Sequence, residues 1–279
     1  MVITFIACLA GAYLVLVGIL YLFQRNLLYL PSQHIGSPAA SGVPEMAEVT
    51  LKTADGLDLI SWYRPAFSHH PTFVYFHGNG GNISYRAFRV RPYLDAGYGL
   101  LLVEYRGYGG NPGKPDEQGL YADGRAAMAF LAAGGVAADK VVIYGESLGS
   151  GVAVQIAAER AQAGVPVAAV ILEAPMSSLT DVAAYHYPFV PVRWLLKDRF
   201  DSAAKIDEMA APLFIIHGED DRVVPVRFGR VLFDAAREPK EGWWIPEGGH
   251  EDLHRFGLQA AVVDYVGRHL VDRDPRAKG

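Results

Sequence analysis

A single cysteine, Cys8, is all the thiol that this 279-residue chain carries, so it builds neither a disulfide framework nor a Cys-based metal site. Basic clusters are missing as well. Lys and Arg number 25 against 30 Asp and Glu, a net charge of −5, which removes the electrostatic footprint of a nucleic-acid-binding protein. No internal repeat is present, and the one linker-like stretch, with Pro, Gly and Ser, covers 31–44. The glycine-rich run after His77 lacks the Lys-Ser/Thr ending of a phosphate-binding loop. The histidines lack a tight spacing such as H-E-x-x-H, which sets a metal centre aside.

Charge is also absent from residues 1–23. As a helix this run would be about 34 Å long, enough to cross the hydrocarbon core of a bilayer. No basic residue precedes it and no small-residue cleavage site follows; it leads instead into Tyr21-Leu22-Phe23-Gln24-Arg25. Cys8 has no lipobox before it. An uncleaved single-pass anchor over 1–24 is therefore the better reading, against a signal peptide or a buried core helix. Arg25 on the C-terminal flank, with no basic side chain at the start, points to a cytoplasmic catalytic domain. The remainder divides into a juxtamembrane linker (25–46), a catalytic domain (47–272) and a polar tail (273–279).

From residue 47 onward strand-like and helix-like segments alternate. Two runs flank Asp55-Gly56, a hairpin signal. Further strands are expected at 72–76, 99–104, 141–144, 167–172, 213–216 and 243–245, and helices at 84–96, 117–133, 152–163, 227–236 and 253–270. Such alternation means a mostly parallel central sheet with helices on both faces. Function in such sheets gathers in the loops that follow the strands.

Four of those loops carry chemistry. Gly145-Glu146-Ser147-Leu148-Gly149 lies between the apolar strand 141–144 and an Ala-rich helix. Strand, G-x-S-x-G and helix in that order make a nucleophile elbow, which lifts the Ser147 hydroxyl clear of the sheet; an ordinary strand-to-helix turn is the bland alternative. The loop His77-Gly78-Asn79-Gly80-Gly81-Asn82 lets backbone approach a ligand closely. Asn79 and Leu148 are the expected backbone N–H donors to a developing oxyanion, and His77 is read as structural. After the strand at 213–216 come Asp220 and Asp221, either of which could orient a base. After the strand at 243–245 comes His250, the expected base. Nucleophile, acid and base thus follow the chain order Ser, Asp, His.

Over 27–270 the chain resembles the small, N-terminally membrane-anchored α/β-hydrolases related to eukaryotic protein depalmitoylases. The residues that carry the resemblance are the His77–Asn82 loop with Phe76, Ile83 and Ser84, the run Glu104-Tyr105-Arg106-Gly107-Tyr108-Gly109, the elbow with Ser150 and Gly151, the loop His217-Gly218-Glu219-Asp220-Asp221-Arg222-Val223-Val224-Pro225, and Gly248-Gly249-His250. The resemblance implies an α/β-hydrolase fold with a minimal cap, a serine hydrolase acting on esters or thioesters of small acyl compounds, acylated proteins or lipids, and no cofactor. It also implies that the acid is Asp221. Where a cap would be inserted, 173–211, the middle is aromatic and proline-rich. Tyr185, Tyr187, Phe189 and Trp194 there are candidates for an acyl pocket, with core packing or contact with the membrane interface as the alternatives. An aminopeptidase or amidase on the same fold, or a silent scaffold acting by binding, are the competing functions.

Overall fold

The β-branched apolar runs become the strands of one eight-stranded sheet, and the computed structural model describes residues 1–271 of the chain. The expected polar tail at 273–279 lies outside the described residues. The strands are β1 (Leu30–Pro31), β2 (Ala47–Lys52), β3 (Asp58–Arg64), β4 (Thr72–Phe76), β5 (Gly80–Gly81), β6 (Gly99–Val103), β7 (Val141–Glu146), β8 (Ala169–Glu173), β9 (Leu213–Gly218) and β10 (Lys240–Ile245). The helices are α1 (Val2–Leu28), α2 (Ala87–Asp95), α3 (Glu117–Ala133), α4 (Leu148–Gln162), α5 (Leu179–His186), α6 (Val192–Leu195), α7 (Val226–Ala235) and α8 (Leu258–Val266).

The main sheet runs β10-β9-β8-β7-β4-β6-β3-β2, with only β3 antiparallel to its neighbours. Strands β4, β6, β8 and β9 are buried throughout, as strands covered on both faces must be. Two apolar cores result. One joins the sheet to α3, α4 and α7 through Leu120, Val152, Ile156 and Leu232. The other joins its opposite face to α2 and α8 through Val90, Tyr93, Leu258 and Tyr265. The expected helix over 253–270 is interrupted: a 3₁₀ turn (Leu253–Phe256) ends at Gly257, whose φ of 88° is left-handed, and only then does α8 begin.

Helix α1 is longer than the 1–24 anchor expected from charge alone. Residues 25–28 continue it, and Arg25 suits the negative end of the helix, which stops where Tyr29 turns extended. It is the one helix among the described residues long and apolar enough to cross a membrane. It does not stand alone. Val17, Leu20, Gln24 and Leu28 form a half-covered stripe at helical spacing along it. Gln24 Nε2 donates to the Leu195 carbonyl, the Lys197 N–H donates to Gln24 Oε1, and Arg25 grips Asp198 in a two-pronged bond of 2.8 and 2.9 Å. The stretch expected as a linker packs against the domain too. Tyr29, Val43 and Met46 are buried, and β1 pairs with β5.

Helix α4 packs so closely under the sheet that Gly149 has no room for a side chain. A Cβ there would lie 2.1 Å from the Phe76 carbonyl oxygen, a backbone atom that cannot swing aside. Gly149→Ala is expected to cost about 3 kcal/mol or more, read as a lower denaturation midpoint. An unchanged midpoint would contradict this packing of α4 on β4.

Candidate active site

Strand β7 delivers Ser147, and the turn that follows is strained. Ser147 has φ 51° and ψ −116°, a conformation that L residues rarely hold, and its N–H is fixed by a 2.9 Å bond to the Glu173 carbonyl. Gly145 meets the same crowding as Gly149: a Cβ would sit 2.6 Å from Ser150 Cα. Small residues at both positions are therefore what lets α4 start directly under the serine.

The four loops foreseen from the sequence meet here. The Ser147 hydroxyl lies 2.9 Å from His250 Nε2, and His250 Nδ1 lies 2.7 Å from Asp221 Oδ2. A carboxylate only accepts, so Nδ1 carries the proton and Nε2 is left to accept from the serine. Of the two acidic candidates, Asp221 is buried and Asp220 is exposed. Asp221 Oδ1 also accepts the N–H groups of Val223 and Val224, both at 2.8 Å, which aims its other oxygen at the imidazole. His217, fully buried, donates from Nε2 to the Val224 carbonyl and lies 3.3 Å from Asp221 Oδ2.

These contacts set the protonation states. Burial works to raise the Asp221 carboxyl, but bonds from His217, His250 and the Val224 N–H together with the His250 charge hold it well below the usual carboxylate range. For His250, burial disfavours the cation; the hydrogen bond and charge of Asp221, with the charges of Glu146 and Glu173, outweigh it and raise the imidazole above its ordinary 6.5.

The loop after β4 runs beside Ser147. A Cβ on Gly78 would lie 3.5 Å from Ser147 Cβ. Among the described residues the Asn79 N–H has no acceptor, and Leu148 opens α4, where helix N–H groups lack an internal partner. The side-chain amide and the carbonyl of Asn79 are engaged. Its Nδ2 donates to the Leu28 carbonyl, and its carbonyl accepts from Leu30 N–H and Tyr108 Oη. His77 is buried, with Nε2 2.9 Å from Glu104 Oε1, in the structural position expected of it.

Sequence reasoning missed the layer beneath. Glu146 and Glu173 end neighbouring strands, and two arginines three residues apart meet them, Arg86 from the N-cap of α2 and Arg89 from its first turn. Arg86 pairs with Glu146 and Arg89 with Glu173, at 2.8 and 2.9 Å. Burial pushes both carboxyls up. The Arg86 charge prevails at Glu146 and keeps it low, whereas at Glu173 burial prevails over Arg89. The spare N–H groups reach further: Arg86 Nη1 holds the Gly80 carbonyl and Arg89 Nη2 the Glu251 carbonyl, beside His250. The signal was present as a Glu closing each of two apolar strands.

Of the four aromatic pocket candidates, Tyr187 lines a cavity and the other three do not. A cavity of about 200 Å³ lies between α1 and the α5–α6 insertion, lined by residues that include Val17, Leu20, Leu28, Leu179, Val182 and Tyr187. Tyr185, Phe189 and Trp194 are not among its walls. Tyr185 turns to the Arg227 guanidinium, 4.4 Å from its ring, while Phe189 and Trp194 face outward. The cavity wall from the insertion is mainly aliphatic, with His186 and Tyr187 at the end of α5, while Tyr185, Phe189 and Trp194 lie outside it.

Comparison with known proteins agrees with the geometry. The family model for the alpha/beta hydrolase fold matches residues 71–205. An uncharacterized protein of Mycobacterium tuberculosis is 39% identical over 252 residues, spanning 89% of this chain and 88% of that protein. The lysophosphatidylserine lipase ABHD12 of Danio rerio is 32% identical over 197 residues, 64% of this chain and 51% of that protein. Among solved structures, an alpha-beta hydrolase from Vibrio vulnificus shares the fold with a TM-score of 0.72 at 23% identity, over 88% of this chain and 92% of its own. Sheet order, elbow and these likenesses agree, and the chain belongs to the α/β-hydrolase family.

Proposed function

We propose that this protein is a membrane-tethered serine hydrolase that cleaves carboxylic esters or thioesters through an acyl-Ser147 intermediate, with its catalytic domain on the cytoplasmic side. The observation that carries the reading is the relay from Ser147 Oγ to His250 Nε2 and from His250 Nδ1 to Asp221, set on a strained turn. In this scheme the Ser147 oxygen attacks the acyl carbon while its proton passes to His250 Nε2. The tetrahedral oxyanion is met by the N–H groups of Asn79 and Leu148. The bond to the alcohol or thiol then breaks, and that group leaves with the proton from His250. Water, deprotonated by the same imidazole, attacks the acyl-serine, releases the carboxylic acid and restores the hydroxyl.

The lysophosphatidylserine lipase relative favours an acyl-lipid ester, and the likeness to depalmitoylases favours an acylated protein; α1 suits both by holding the site at a membrane. An amidase or a silent scaffold lacks any observation of its own in support.

Ser147→Ala tests the reading. The variant is expected to melt like the wild type, to lose about 10⁴-fold or more in ester turnover, and to escape labelling by a fluorophosphonate probe. Labelling that persists elsewhere in the chain would refute the assignment.

The acid is decided by a pair of variants. Asp221→Asn is expected to lower kcat by about 10⁴-fold, because the neutral amide no longer holds the imidazole tautomer, whereas Asp220→Asn stays within about twofold. Equal losses would mean that the two carboxylates share the task.

The pH profile follows from the raised imidazole. His250 must be neutral to accept a proton, so kcat/KM should fall as the medium is acidified, with an inflection above 6.5. In Asp221→Asn the cation loses its partner and the inflection should move to lower pH. An inflection that stays in place would rule out Asp221 as the cause of the shift.

A further inference from the structure

The contact between α1 and the insertion reaches deeper along the helix than a tether requires. Polar partners cluster at one level: Gln24 and Arg25 on α1, Lys197 and Asp198 opposite, with Lys197 Nζ 4.5 Å over the Tyr21 ring. Below that level α1 carries no charge, and residues 2–20 rise about 28 Å, close to the ~30 Å hydrocarbon core of a bilayer. Tyr13 stands eight residues below Tyr21, a further descent of about 12 Å. At that depth the Tyr13 hydroxyl donates to the Phe189 carbonyl at 2.8 Å. The tip of the insertion therefore accompanies the helix past the charged level. A hydroxyl and a loop carbonyl placed away from water each need a partner, and here they supply each other.

The surface around this contact is aromatic and bare. Trp194 is 85% exposed, Phe189 58% and Tyr187 43%. Such side chains favour the membrane interface. The cavity lies just inside, walled on one side by Val17 and Leu20 of α1 and on the other by Leu179 and Val182. At about 200 Å³ it is smaller than the ~300–1,000 Å³ of sites for bulky ligands, and it fits a slender chain. Two of its walls touch the reactive loops. The Leu28 carbonyl holds Asn79 Nδ2, and His186 Nε2 bonds the Val223 carbonyl, whose residue also donates its N–H to Asp221.

We propose that the tip of the insertion is seated in the near leaflet and that the cavity receives the acyl chain of a bilayer lipid ester, admitted sideways from the leaflet. The inference rests on Ser147 being the nucleophile that takes the acyl group. Helix α1 is then one wall of the substrate site and not an address alone.

The test uses the full chain in phosphatidylcholine vesicles, with p-nitrophenyl palmitate dissolved in the bilayer and p-nitrophenyl acetate in water. Val182→Trp and Leu20→Trp fill the cavity from opposite walls, and each is expected to lower the ratio of palmitate to acetate turnover at least tenfold. A ratio that stays within threefold of the wild type, or rises, overturns the proposal. Should the wild type hydrolyse acetate without needing Ser147, the assignment of the nucleophile has failed instead. The seating is read separately in Cys8→Ser, Phe189→Cys protein carrying an environment-sensitive fluorophore on the new thiol. Spin-labelled acyl chains should quench this probe by more than half while aqueous iodide leaves it bright. Quenching by iodide in place of lipid shows the tip in water and overturns the proposal.

Discussion

Two carboxylates packed beneath Ser147 are the constraint on which the rest of this site depends. Glu146 and Glu173 close adjacent parallel strands, and a buried carboxylate is tolerated only when a cation and further hydrogen bonds compensate it. Arg86 at the N-cap of α2 and Arg89 within it supply the cations; Tyr75 and Tyr144 add hydroxyl donors at 2.7 and 2.6 Å. A lysine could neutralise the same charge, but the planar guanidinium has N–H groups left over. Those spare donors reach the Gly80 carbonyl on one side and the Glu251 carbonyl on the other. The loop after β4, the elbow and the loop that carries His250 are thus registered against one another by α2 and the arginine at its N-cap. Pairs of this kind contribute little net stability and much geometric definition.

Much of this architecture was legible in the residues. Buried parallel strands announce themselves as continuous β-branched runs, and a loop following such a strand has few places to go. That is why Ser147, Asp221 and His250, separated by as many as 103 positions, come together as the motifs suggested. Helix boundaries near glycine were harder to read: Gly257 interrupts a segment whose apolar pattern continues through it. The Arg–Glu layer was missed because each charged residue looks like a surface residue in its own segment. Only the pairing of the strand ends with Arg86 and Arg89, a tertiary fact, reveals that they face inward.

The insertion misled in the opposite direction. Its aromatic residues drew attention as pocket candidates, yet rings are as useful on a face turned to lipid as in a cavity. The aliphatic residues of α5 and α6 that do line the cavity carry no local signal to distinguish them from core. Nor does α1 reveal its docked stripe, because Val17 and Leu20 look like every other residue of an apolar helix. Gln24 was the visible exception. A polar side chain at the expected end of an anchor has to find partners, and it finds Leu195 and Lys197.

The span between those partners also fixes when the fold is completed. Tyr13 and Phe189 are 176 positions apart, and Arg25 and Asp198 are 173. Closing loops of that length is entropically costly, so contacts of this kind form late, after local structure has lowered the cost. On the ribosome, α1 emerges long before the segment it must grip has been made, and domains mature from the N-terminus onward at a few residues per second or somewhat faster. Helix α1, made before the segments it grips, is consequently among the last elements to be docked. The wall it contributes is missing through most of the protein's assembly, and the apolar faces of α5 and α6 must wait beside it.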